Sequence, residues 1–556
     1  MRIGGLASGM DTEQIIRDLM RAERMKGDKL IQNRTTLEWQ RDSYREKNVK
    51  MMGLRDSFRA TGLGLQSTFL QKTVTSSNDR IVTAVAGTNT PNTSVRMEVG
   101  RLASASSFVS GGIDQTKTKE TLGDWEGIAF DEDGIAEFKM NVVLPGGEEK
   151  QVSFELSRDD TIQSAITKMN REGLGFQAFL DQNARTNQPQ VVVTMSETGA
   201  GSSIYFGDEI STETNNAKEL FTHFGFHFRE EVKNAEEELV VSALAYGPPG
   251  DPNSDPDNPN NPRVGKNAVF TINGHETERT TNNFTINGVT YSLNGVTGQN
   301  ETVTITSQTN TEKIMQDIMK FVEDYNELVD MVNGALREDR FRDFRPLTDE
   351  QKEAMSDKEI EMWEEKARSG LLRNDATLRN TLTEMRMAMF SGISDEDPDR
   401  ILKDLSAFGL VTSPDYMDGG KIIIDTSMRT LPNGERMNGE DRMRYYIENH
   451  GESVYQLFMG NSDERSEQGV LRRLRGTLES GINTITERAG RQGRTNQQFT
   501  IGRQLVNLED RISNFERRMQ QTEERYWRQF SAMEKAMAEL NSQADQIWSM
   551  LMPQQN

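Results

Sequence analysis

From Gly502 to Met552 the chain carries one apolar stripe. Leu505, Leu508, Ile512, Phe515 and Met519 are followed by Tyr526, Phe530, Met533, Met537, Leu540, Ala544, Ile547 and Leu551. The steps alternate between three and four residues, which is a heptad seam. Thr522 puts a polar group in one slot, and one extra residue near Tyr526–Phe530 makes a stutter. No proline interrupts the run before Pro553. A straight helix of this span is about 75 Å long. A helix so long and so narrowly striped needs a partner helix rather than a place in a compact core.

The other end of the chain supplies a candidate partner. Asp11 and Gln14 form a capping-box-like start. A seven-residue spacing then runs through Ile16, Glu23, Leu30, Leu37, Tyr44, Met51, Phe58 and Leu65. The companion positions Leu19, Lys26, Asn33, Gln40, Lys47 and Leu54 are only half apolar. This reads as one long, leaky amphipathic helix that depends on packing and is partly disordered in a free monomer. Part of the C-terminal seam is expected to pair with it. The outer part, from about Phe530 to Leu551, is left for other partners.

Between these ends the texture changes. After Gly64, Thr, Ser and Val dominate, and SVRMEV alternates as a strand does. Short strands follow in AEFKMNVVL, QVSFEL and VVVTM, around one helix, TIQSAITKMN. A Pro/Asn/Asp linker or exposed loop occupies 247–262, and strands resume at 268–306 with Asn-Gly turns. Helix returns at about 309, where Thr309 and Glu312 form a capping box. Ile314, Ile318, Phe321, Tyr325, Leu328 and Val332 make a clean stripe behind it. Residues 348–369 read as two charged surface helices, 375–390 and 467–488 as further helices, and GGKIIIDTS as a short β excursion. The fold class is therefore α+β and multidomain, with a helical stalk built from both termini and inserted β-rich head domains. The expected divisions are 1–40 with 515–556, 41–72 with 307–514, 73–118 with 241–306, and 119–240.

Several function classes are disfavoured. The formal net charge is -22, from 87 acidic and 65 basic residues, with no sustained basic patch, so nucleic acid is not an expected partner. There is no cysteine, which excludes disulfides, thiol nucleophiles and cysteine metal sites. No apolar run is long enough to span a membrane, and MRIGGLASGMDTEQ lacks the apolar core of a secretory signal. His223 and His227 are four apart, a spacing that on one helix could hold a metal, but their neighbours Phe221, Phe224, Phe226 and Phe228 suggest a packed apolar segment. Asp251, Asn253, Asp255 and Asp257 begin like a calcium loop, yet Pro256 and Pro262 stand where Gly and Glu are required. ETGAGSS at 197–203 has no phosphate-loop lysine and reads as a turn. No nucleophile–base constellation is visible. The chain reads as no enzyme, with no cofactor and no metal.

Larger motifs carry a resemblance. GLASGMDTEQIIRDLMRAE at 5–23 resembles the N-terminal signature of the flagellar filament cap family, the flagellar hook-associated protein 2 family. Gly5, Ser8, Gly9, Asp11, Thr12, Ile15, Leu19 and Glu23 fill its slots. EVGRLASASSFVS at 98–110 is similar to a further family segment. DTIQSAITKMN with VVVTMSETGAGSSIYF is similar to a repeat shared by flagellins and hook proteins. TINGVTYSLNGVTG, FVEDYNELV, LLRNDATLRN and FGLVTSPDYMDGGKIIID match the C-terminal cap region in order.

The resemblance implies a structural cap at the distal, extracellular tip of the filament. Such a cap promotes flagellin folding and polymerisation and prevents loss of exported flagellin. The implied partners are flagellin, the filament-end subunits, further copies of the chain in a ring (commonly a pentamer), and an export chaperone. Export runs through the flagellar type III apparatus, without a cleaved signal peptide. The residues expected to touch filament or neighbouring copies are Ile16, Leu19, Leu30 and Leu37, with Phe530, Met533, Met537, Leu540, Ile547 and Leu551. The alternative is an adhesin binding host mucin or glycans through its β head.

Overall fold

The computed structural model describes residues 11–60, 62–206, 216–234, 239–258, 260–394 and 400–551. In chain order, helix α1 (Thr12–Ala60) and the short α2 (Gln66–Phe69) precede strands β1 (Lys72–Ser76), β2 (Val82–Ala86), β3 (Thr93–Arg101), β4 (Ser107–Val109), β5 (Ile135–Val143) and β6 (Glu149–Ser157). Helix α3 (Ile162–Glu172), strands β7 (Phe176–Gln182), β8 (Pro189–Met195) and β9 (Ser203–Phe206), and helix α4 (Asn216–His223) follow. Then come β10 (Phe228–Asn234), β11 (Leu239–Leu244), β12 (Ala268–Ile272), β13 (His275–Arg279), β14 (Asn283–Ile286), β15 (Val289–Leu293) and β16 (Val303–Thr309). The chain closes with α5 (Thr311–Arg337), α6 (Asp349–Glu353), α7 (Asp357–Arg368), α8 (Ala376–Phe390), α9 (Leu405–Phe408), α10 (Gly439–Asn449), α11 (Gly451–Met459), α12 (Val470–Ala489) and α13 (Thr500–Leu551). The short ladder β17 (Leu410–Thr412) with β18 (Ile422–Ile424) sits after α9.

These elements form two compact units, Met1–Leu70 with Thr311–Asn556 and Gln71–Asn310. The first is a helical unit built from both ends of the chain. Its core joins Tyr44, Met51, Leu54 and Phe58 of α1 to the buried stripe of α5 and to apolar faces of α8, α10, α11 and α12. Phe58 and Phe321 meet edge-on at 5.7 Å. The α5 stripe, Ile314 to Val332, is buried at each of its six expected positions.

The second unit is β-rich and holds two cores. In one, a sheet of order β1-β16-β3-β12-β13 packs against β14-β15-β2, and Phe270 stacks on Phe284 at 4.5 Å. The hairpins β12–β13 and β14–β15 turn at Asn273-Gly274 and Asn287-Gly288. All four residues have positive φ, as a two-residue type I′ turn requires. In the other core, the sheet β10-β11-β9-β5-β6 and the ladder β4-β8-β7 enclose α3 and α4. Thr161 caps α3 by accepting from the Ser164 N–H.

Three expectations need correction. Thr309 does not cap a helix. It is the last residue of β16, opposite Lys72, so its backbone is committed to the ladder and α5 starts at Thr311. Leu65 does not continue the α1 stripe. Gly62, with φ +72°, turns the chain out of α1, and Leu65 is exposed. His223 and His227 do not share a helix. His223 ends α4, and the Gly225 turn (φ +81°) separates them. His223 instead stacks on Trp125 at 4.8 Å, and its Nε2 lies 2.8 Å from the Glu126 carbonyl.

Candidate interface of the terminal helices

The start of α1 is set by one residue. The Asp11 carboxylate accepts from the Gln14 N–H at 2.9 Å, and its carbonyl accepts from Ile15 at 3.1 Å. From there α1 runs antiparallel to α13. Arg45 lies over the Phe499 ring at 5.4 Å and donates to the Ala489 carbonyl at 3.0 Å. Further out, Gly27 sits against Phe515. A Cβ on Gly27 would lie 2.3 Å from the ring's Cε1, so the backbone of α1 approaches α13 as closely as a glycine permits. Continued at the same register, the start of α1 comes level with about Phe530. From there to Leu551 α13 runs on for about 30 Å.

The expected contact residues divide along this register. Ile16 is buried, and so is Met20, which the heptad reading did not select. Leu19 is exposed, and Leu30 and Leu37 are half-buried. On α13, Leu505, Leu508 and Ile512 are buried, and Phe530, Met533 and Met537 are half-buried. Leu540 is 59% and Ile547 56% exposed, with Trp548 beside them at 64%. Leu551 is the last residue of α13, and its side chain lies outside the described residues. Trp548 falls one position off the strict seam, which is why a three-four count passes over it.

Other elements use α1's polar positions. Arg24 pairs with Glu350 of α6 at 2.5 Å, and Arg368 of α7 lies 4.2 Å over Trp39. Burial, then the charge of Glu350, raises the Asp28 carboxyl above its ordinary value, opposed by Arg24. A cleft of about 500 Å³ beside α1 is lined by Met20, Gly27, Phe515 and Met519. Deeper in the unit, Tyr44 donates to Asp375 at 2.5 Å. Arg488 reaches the same carboxylate at 3.3 Å while lying 4.9 Å over the Tyr44 ring. Burial and then this hydrogen bond push the Tyr44 phenol upward. Asn48 donates to Thr486 at 3.1 Å, and Lys50 pairs with Glu327 at 2.5 Å.

The arrangement is suited to holding helices against helices. Among the described residues no group of three or more His, Asp or Glu side chains could hold a metal ion. No described helix is long and apolar enough to cross a membrane.

Comparison with known proteins gives concordant matches. The profile described as flagellar hook-associated protein 2 N-terminus matches residues 8–106, and that described as flagellar hook-associated protein 2 C-terminus matches 265–542. The stretch between them holds nearly all of the α3/α4 core, Phe108 to Tyr246. A flagellar hook-associated protein 2 from Halalkalibacterium halodurans is 31% identical over 583 aligned positions, 98% of each chain. The D1-D2-D3 domains of the Escherichia coli flagellar cap protein FliD superpose with a TM-score of 0.51 at 16% identity, covering 84% of this chain and 99% of that one.

Proposed function

Because the chain belongs to the flagellar hook-associated protein 2 family, we propose that it caps the growing tip of a flagellar filament outside the cell. Copies associate into a ring whose β-rich parts cover the filament end. Flagellin arriving beneath them folds and is inserted rather than lost. In this reading residues 1–40 with 515–556 are the legs that enter the filament end, and 41–72 with 307–514 are their support. Residues 73–118 with 241–306, and 119–240, are the two head domains. The chain reaches the tip through the flagellar type III apparatus, with the help of an export chaperone.

One observation carries the reading of the legs. Beyond the start of α1, α13 presents Leu540, Ile547 and Trp548 on one face with most of each side chain in water. A helix that leaves a stripe of this kind open is built to bury it against something else. The seam residues nearer the base, Leu505 to Ile512, are already buried within the unit. No observation in the β-rich unit favours the adhesin alternative.

The test is complementation of cells lacking this protein. A chain ending at Gln529, and a full chain with Leu540→Glu, Ile547→Glu and Trp548→Glu, should both fold. Each should reach the medium or the filament tip, detected by antibody, yet leave filaments short and flagellin free in the medium. Full-length filaments from either exported variant would sink the leg assignment.

A further inference from the structure

The loop 413–421, which joins β17 to β18, holds a large aromatic out in water. Tyr416 is 85% exposed, yet the loop beneath it is tied down at each step. The Asp415 carboxylate accepts from the Met417 N–H at 2.7 Å, and Ser413 Oγ donates to Asp418 at 2.5 Å. Arg337, at the end of α5, donates to the carbonyls of Met417 at 2.6 Å and Tyr416 at 3.1 Å. Its guanidinium lies 5.7 Å from the Tyr416 ring centre. Gly419 and Gly420 take positive φ, and a side chain on Gly419 would strike Asn333. A side chain presented so stiffly has little ordering entropy left to lose on binding. Tyr, Arg and Met are the residue types that anchor protein interfaces.

The cleft beside this loop is basic, in a chain of net charge -22. It measures about 320 Å³ and is lined by Arg337, Arg379, Arg386 and Tyr416, with Thr383 between the two α8 arginines. Arg379 and Arg386 stand two turns apart on one face of α8. Arg379 donates to the Asn374 carbonyl at 2.7 Å, and neither arginine meets a carboxylate among the described residues. Asp415 also lines the cleft, with its carboxylate turned to the loop backbone. Met387, next along α8, is 61% exposed.

A matching surface exists on α7. One side of this helix is fixed by Trp363, 4.6 Å from Phe344, and by buried Ala367. The other side carries Asp357, Glu361 and Glu365 at successive turns, all exposed and without ion pairs among the described residues, and Met362 at 54% exposure. The carboxylates span about 12 Å along the helix and the two α8 arginines about 10 Å. We propose that the Arg337/Arg379/Arg386/Tyr416 cleft of one copy docks the Asp357/Glu361/Glu365 face of α7 of a second copy. The two patches differ, so the contact is head-to-tail, the kind that builds a ring when its rotation closes. The inference rests on the self-association proposed above and gives it a specific interface.

The experiment is sedimentation velocity on the full chain over a dilution series, at low and high salt. Wild type should associate, more weakly as salt screens the contact. Arg379→Glu with Arg386→Glu, and separately Glu361→Arg with Glu365→Arg, should each weaken association by about tenfold or more. Combining all four substitutions in one chain should restore it to within a few-fold. Tyr416→Ala leaves the charges alone and should weaken association by about tenfold as well. If wild type associates and the reversed variants associate equally well, this interface is wrong while the capping reading stands. A wild type that stays monomeric throughout overturns both self-association and this interface.

Discussion

Replacing Gly27 by alanine sets two effects against each other at one atom. Gly27 lies in the interior of α1, where alanine is favoured over glycine by about 1 kcal/mol. The added Cβ, however, would lie 2.3 Å from Phe515 Cε1. Carbon–carbon contact is comfortable at about 3.5 Å or more, so the ring must withdraw by about 1.2 Å. Overpacking of this kind costs about 1–3 kcal/mol. Phe515 is half-buried and borders the cleft beside α1, which gives the ring somewhere to go and places the cost in the middle of that range. The net expectation is a loss of about 1 kcal/mol, confined to the α1–α13 contact. Gly53 supplies the control, for it lies on the same helix with nothing within 4 Å of an added Cβ. Gly53→Ala should stabilise by about 1 kcal/mol, the opposite sign from the same substitution. Hydrogen exchange of peptides covering residues 12–35 reads the first effect, at about fivefold faster opening per kcal/mol, and denaturant unfolding reads the second. Adding Phe515→Ala should turn Gly27→Ala from harmful to helpful, a coupling of about 2 kcal/mol. If Gly27→Ala protects α1 as Gly53→Ala does, the two helices do not approach this closely and the register built on that contact fails.

Two other sites give equally definite outcomes. Burial pushes the Asp425 carboxyl up, but hydrogen bonds from Ser427 and Arg442 and the charge of Arg429 outweigh it and hold the group at about 2. Its folded value lies below its unfolded one, so the stabilisation is present above about pH 4 and is lost as pH falls towards 2; it amounts to about 2 kcal/mol. Asp425→Asn strands the buried Arg442 guanidinium, now 2.7 Å from its carboxylate, and should cost about 3–5 kcal/mol at neutral pH. The gap between variant and wild type should narrow between pH 4 and 2 in urea titrations, and a pH-independent gap would contradict the assignment. Asp375→Ala removes the cap that accepts from the Leu378 N–H at 3.0 Å and leaves the Tyr44 hydroxyl and Arg488 without their shared acceptor. The expected loss is about 2–4 kcal/mol in the same titration, and under 1 kcal/mol would show that Tyr44 and Arg488 do not depend on this carboxylate.

Periodicity reported faithfully wherever the relevant contact is local or repeats along one element. The α5 stripe, the TIQSAITKMN helix, the Asn-Gly hairpins and the unbroken run of α13 were legible because each is written into neighbouring residues. The start of α5 was misplaced for a related reason. Thr309 and Glu312 have the right spacing for a capping box, but β16 had already claimed Thr309, and a ladder to Lys72 leaves no trace near position 309. The basic cleft was hidden in the same way. Arg337, Arg379 and Tyr416 come from three separated stretches, and only tertiary packing brings them together.

The polar positions of α1 show why a seam count alone misjudges this helix. Considered as half of a two-helix seam, Lys26, Gln40 and Lys47 are defects that leave α1 weak. In the folded unit α1 faces α5, α12, α13 and the 348–371 segment together. Many of its polar side chains are the bonds to those neighbours. Gln40 donates to the Leu371 carbonyl, Arg45 to Ala489 and Asn48 to Thr486, while Arg24 and Lys50 pair with Glu350 and Glu327. The exposed pairs contribute little each, and the buried Asn48 bond contributes about 1 kcal/mol. Their density rises from the N-terminal part of α1 towards Tyr44, and the order of anchoring follows. The base of the α1–α13 pair is held from several sides. Its outer end is held chiefly by the buried Ile16 and Met20 and by Phe515 on Gly27, and past the start of α1 the Leu540, Ile547 and Trp548 side chains of α13 stand exposed. A pair anchored at one end and open at the other can exchange partners at its tip without disturbing its core, as the leg role proposed above requires.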